Sequence, residues 1–67
     1  MSTLQKLQDR YLKNDKSMTK AETKDMFRRW ALSCFVSAAK AEQKGDLLVA
    51  RQWRREGVRR YRDYKNV

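Results

Sequence analysis

The sequence predicts an all-α protein: a short N-terminal helix packed on a long antiparallel helical hairpin. Three observations point there. The 67 residues include no proline and only two glycines, Gly45 and Gly57, so little interrupts helix formation. β-branched residues are few. Apolar residues recur at helical spacing, in segments that open on good N-capping residues.

The first helix is expected over about residues 3–13. Ser2 and Gln5 have the spacing of a capping box, and Leu4, Leu7 and Tyr11 share one face with Leu12 at its margin. A helix this short persists only when it packs on something. Asn14, Asp15, Lys16 and Ser17 then make a polar, turn-prone joint.

Thr19 and Glu22 form a second capping box and open a helix expected over about residues 20–44. Glu22 and Asp25 suit the positive end of its dipole. Phe27, Trp30, Ala31, Cys34, Ala38 and Ala41 make one stripe, widened by Leu32, Phe35, Val36 and Ala39. From Trp30 to Ala39 only Ser33 and Ser37 interrupt the apolar character, so this helix should be buried on most sides, by the other helices or by another subunit.

Gly45 supplies a left-handed stop, Lys44 favours the negative end of the dipole, and Asp46 caps the next helix. So short a connection forces a tight antiparallel hairpin. The third helix is expected over about residues 47–64. Its inward face is Ala50, Trp53, Gly57, Tyr61 and Tyr64, with Val49 and Val58 beside it. Small Ala50 and Gly57 allow close approach to the second helix, which offsets the cost of about 1 kcal/mol for a glycine inside a helix.

The stretch from Ala31 to Gly57 resembles one helical hairpin of the tetratricopeptide-repeat type. The resemblance lies in Gly45-Asp46 opening the second helix, followed by Ala50, Trp53 and Gly57 at that spacing. It covers under half of the chain and implies hairpin geometry and a binding role. A repeat array needs about three such units, so no binding residues carry over. In length and charge the chain also resembles the small early proteins of bacteriophages, which bind host machinery.

One small domain, residues 1–67, is all this length allows, and a domain of that size is marginally stable alone. Disulfide and zinc staples are not expected, because Cys34 is the only cysteine and there is no histidine. Stability must come from helix packing or association. No apolar run approaches the roughly 20 residues of a membrane span, and residues 1–10 lack the apolar stretch of a signal peptide. With one free thiol, the expected location is cytoplasmic.

Lysine and arginine number 17 against 8 acids, a net charge of +9. That excess favours an acidic partner: nucleic acid, an anionic membrane surface or an acidic protein patch. The cations concentrate in the third helix. Residues 46–67 hold seven cations (Arg51, Arg54, Arg55, Arg59, Arg60, Arg62 and Lys65) against three acids, a net of +4. Arg51, Arg55, Arg59 and Arg62 follow at steps of four, four and three and so share one face. Guanidinium groups bind phosphate bidentately and stack on bases, so such a row suits a phosphate backbone. Arg28 and Arg29 on the second helix are candidates to extend it. The competing account is a solvated outer face, which more often mixes charge signs.

Trp30, Phe35 and Trp53 are expected in the core, whereas Tyr61 and Tyr64, among the arginines, are candidates for base stacking. Cys34 lies on the apolar stripe with no histidine to activate it, so a buried structural thiol is expected. Nothing suggests catalysis or a cofactor: there is no histidine, glycine-rich phosphate loop, paired carboxylates or ligand cluster.

The expected function is a small basic regulatory protein that binds nucleic acid through its third helix. The alternative is an inhibitor or adaptor of the phage type, docking on an acidic host-protein surface. A homodimer through the second helix would also account for that helix's apolar width. A membrane-surface helix is disfavoured because the apolar face of the third helix is used by the hairpin. A DNA-reading helix-turn-helix is disfavoured by the length of the second helix.

Overall fold

The computed structural model describes residues 2–67 and contains three helices: α1 (Thr3–Leu12), α2 (Lys20–Gln43) and α3 (Leu47–Asn66). Met1, part of the expected domain, lies outside the described residues. The all-α arrangement is the expected one: α2 and α3 pack along each other as a hairpin, and α1 packs on α2.

Local chemistry sets the element ends. Ser2 accepts a hydrogen bond from the Gln5 N–H at 3.2 Å, which is one half of the expected capping box. At Thr19 the box is complete: the hydroxyl accepts from the Glu22 N–H, and the Glu22 carboxylate accepts from the Thr19 N–H, both at 3.1 Å. Asp46 accepts from the Val49 N–H at 3.2 Å and opens α3. Gly45 adopts φ +79°, the left-handed conformation that ends α2. Asn14 takes φ +54° after α1, a position asparagine tolerates better than most side chains.

The boundaries differ slightly from expectation. Lys13 and Lys44 are caps outside α1 and α2, and α3 continues two residues beyond Tyr64. No proline or glycine follows Gly57, so nothing stops α3 at Tyr64.

The buried stripe of α2 is Met26, Phe27, Ala31, Cys34, Ala38 and Ala41, which meets Ala50 and Gly57 of α3. Met26, with no exposed surface, forms a cluster with Leu7 and Phe27, joined by Leu4, Met18, Trp30, Tyr64 and Val67. This cluster lies at the open end of the hairpin, where α1 docks. Arg10 fastens the joint there. It donates to Asp15 at 3.0 Å, to Ser17 at 3.2 Å and to Glu22, tying α1, the connection and α2 together.

Burial of α2 on most sides is corrected by the structure. Leu32 is 52 % exposed, Val36 54 % and Phe35 39 %. The cause is the side of the helix they occupy: Leu32 and Val36 lie two residues to either side of Cys34, on the face of α2 turned away from α3, and α1 docks at Met26 and Phe27. The molecule measures 42 × 26 × 15 Å, so beyond α1 the hairpin is a single layer with an open outer face. Trp53 (41 %) is also half out of the core, against expectation, Trp30 is only partly buried, and Tyr61 (45 %), a candidate for base stacking, is exposed. Cys34, at 1 %, is buried as expected, and burial pushes its thiol pKa up, with the Glu56 carboxylate adding to the effect.

Among the described residues, no helix is long and apolar enough to cross a membrane.

Candidate functional site

The nine cations singled out in the sequence fall into two groups. Arg51, Arg55, Arg59 and Arg62 are all exposed and, among the described residues, form no ion pair. They stand on the face of α3 turned away from Ala50 and Gly57 and span twelve residues, about 16 Å of helix. With Arg54, Val58 and Asn66 they border an open groove of about 690 Å³. Asp63 also lines it and is the one acid there. Lys65, exposed and without an ion pair among the described residues, lies 4.8 Å from the Tyr61 ring centroid.

The other four are engaged. Arg28 and Arg29 both donate to Asp25, at 3.0 and 2.8 Å. Those three residues together carry only +1, so this end of α2 extends the row weakly. Arg54 pairs with Glu42 across the hairpin. Arg60 is the most enclosed of the four. Its guanidinium lies over the Trp30 ring at 3.8 Å and donates to Glu56 at 2.9 Å and to Asp63 at 3.3 Å.

The pairing also neutralises acids. Asp63 and Glu56 are held by Arg60, which leaves the outer row of α3 opposed by little negative charge. Four like charges at i, i+3 and i+4 spacing repel one another on a bare helix. Here they stand together with Asp63, itself held by Arg60, as the one acid in the groove lining, so this face is strongly positive.

The tyrosines are divided as well. Tyr61 and Tyr64 stack on each other at 5.8 Å, with Lys24 over Tyr64 at 5.1 Å. Tyr64 belongs to the core cluster, and Tyr61 is the exposed member.

A second opening escaped the sequence reading. It lies near the closed end of the hairpin, holds about 430 Å³, and is lined by Ser37, Lys40, Ala41, Lys44, Asp46, Val49 and Trp53. Helical spacing correctly turned Trp53 toward α2. What it did not carry was that Ser37 and Ala41 opposite are too small to cover an indole. No group of three or more histidine, cysteine or acidic side chains suited to a metal occurs among the described residues.

The chain matches no protein-family model, and no curated protein or solved structure resembles it significantly. The site therefore rests on its own geometry.

Proposed function

We infer that the protein binds nucleic acid through the outer face of α3 and acts as a small regulatory protein rather than an enzyme. The observation that carries this reading is the row Arg51, Arg55, Arg59 and Arg62: exposed, in line and without carboxylate partners among the described residues. Arginine is the side chain best suited to bidentate phosphate contact, and the protein's +9 charge would draw a polyanion from a distance. Contacts of this kind position a phosphate backbone and carry no base sequence, so the binding is of low sequence specificity.

A second reading has one observation in its favour. Leu32, Phe35 and Val36 leave an apolar strip open on the outside of the hairpin, which suits docking on a protein with an acidic rim.

Anisotropy titration of fluorescent oligonucleotides, duplex and single-stranded, separates the two. Nucleic-acid binding predicts submicromolar affinity for at least one form at near-physiological salt. It also predicts that Arg55→Ala with Arg59→Ala weakens binding, while Leu32→Ser with Val36→Ser does not. Binding seen only at low salt, or unaffected by the arginine changes, would contradict the assigned surface and favour a protein partner.

A further inference from the structure

The two tryptophans have opposite surroundings. Trp30 has the Phe27 ring stacked near-parallel to it at 6.3 Å and the Arg60 guanidinium over its ring at 3.8 Å. Trp53 is 41 % exposed and, among the described residues, stacks on no other ring and no cation. An open indole face is unusual for a residue type that is highly buried on average.

The surroundings of Trp53 are selective. Its cleft of about 430 Å³ falls within the range of small-ligand sites, about 300–1,000 Å³. Lys40, in the last turn of α2, and Lys44, its C-cap, stand four residues apart at the edge of the cleft, exposed and without ion pairs among the described residues. Asp46 is the one acid in the lining, and it already accepts the Val49 N–H. The cleft therefore offers a flat aromatic face, a net positive edge and the Ser37 hydroxyl. A planar group attached to a phosphate fits all three.

Resting on the reading of the arginine row as a phosphate-binding face, we propose that this cleft takes a nucleobase of a single-stranded nucleic acid. The base stacks on Trp53, and Lys40 and Lys44 hold its flanking phosphates. The selection of a single strand follows from where the two sites lie. Arg51 and Arg55 are each two residues from Trp53, so they project from the far side of α3. A ligand touching both must turn around a helix about 10–12 Å across. A duplex, stiff over about 150 base pairs, meets one face or the other. A single strand bends on that scale and has unpaired bases to stack.

The test uses a single strand of about 16 nucleotides, within the span of known single-strand sites, and a duplex of the same sequence. Binding is followed by anisotropy of an end label and by tryptophan emission. The single strand should bind more tightly than the duplex and quench the emission of the wild-type protein. Trp53→Ala should abolish that quenching and weaken single-strand binding by about 5- to 150-fold, leaving duplex binding unchanged. Lys40→Ala with Lys44→Ala changes only exposed side chains, so the fold is retained, and it should lower the same preference. Equal affinity for both forms, unchanged in both variants and with no quenching, would overturn the Trp53 site while leaving the arginine face intact. No binding of either form would overturn both readings.

Discussion

The Arg60 guanidinium lies 3.8 Å from the centre of the Trp30 ring, and the same group is held by Glu56 and Asp63. One arginine of the C-terminal cluster is thus part of the hairpin's packing. Its side chain is only 21 % exposed, and it covers the ring of the partly buried Trp30. Arg60→Ala is expected to lower stability by about 1–2 kcal/mol, combining lost cation–π contact and lost stem packing. Chemical denaturation would read that loss, and any weakening of nucleic-acid binding should accompany it, because Asp63 in the groove loses its cation. A binding defect without a stability loss would place Arg60 in the interface instead.

Gly57 sets the closest approach of the hairpin. A Cβ placed there would meet the Phe35 ring at 2.9–3.1 Å. Phe35 is 39 % exposed and its ring can swing outward, so the clash is relieved at modest expense. Alanine also gains about 1 kcal/mol of helix propensity. Gly57→Ala should therefore fall within about 1 kcal/mol of the wild type, whereas Gly57→Leu must part the helices and should lose about 1–3 kcal/mol. Thermal unfolding of the two variants checks the ranking. Equal losses would mean that Phe35 is held rigidly.

Acid should loosen α1 before the hairpin. Bonds from the Ser17 hydroxyl and N–H, with the Arg10 guanidinium, lower the Asp15 carboxyl from its ordinary 3.8 to about 2. The Thr19 N–H, followed by Arg10, lowers Glu22 below its ordinary 4.5. Folded values below unfolded ones mean that this stabilisation is complete above about pH 4.5 and is lost as pH falls toward about 2. Leu7 lies in α1 and Met26 in α2, and they share one cluster, so exchange of their backbone amides reports each element. The α1 amides should lose protection over that interval first, and Asp15→Asn should shift the onset to higher pH. Simultaneous loss in α1 and α3 would contradict a separately docked α1.

Much of the architecture was legible before any coordinates. The Thr19–Glu22 box, the Gly45 stop and the Asp46 cap are local signals, and all three act in the structure. The stripe from Phe27 to Ala41 also faces inward. What periodicity could not convey is how far each neighbour reaches. Leu32 and Val36 have the composition of buried residues, and they stand exposed because they lie on the face of α2 turned away from α3, which no other helix covers there. Met26, the most buried side chain, stands one turn before Trp30 at the polar start of α2, and its burial under α1 comes from packing that periodicity does not reveal. Similarly, the row at 51, 55, 59 and 62 followed from spacing alone. Which arginines are free depends on partners such as Glu42, twelve residues from Arg54 in sequence and adjacent across the hairpin.

The most direct test of the arginine face is the salt dependence of single-strand binding, measured as log affinity against log salt. Each phosphate contact adds about 0.7 to the slope, so Arg55→Ala with Arg59→Ala should reduce it by about 1.4. Arg28→Ala with Arg29→Ala removes two equal charges already engaged by Asp25 and should leave the slope nearly as it was. If the two double variants reduce the slope alike, binding follows net charge alone, and the row on α3 is not the site. If neither changes it, the nucleic acid sits elsewhere.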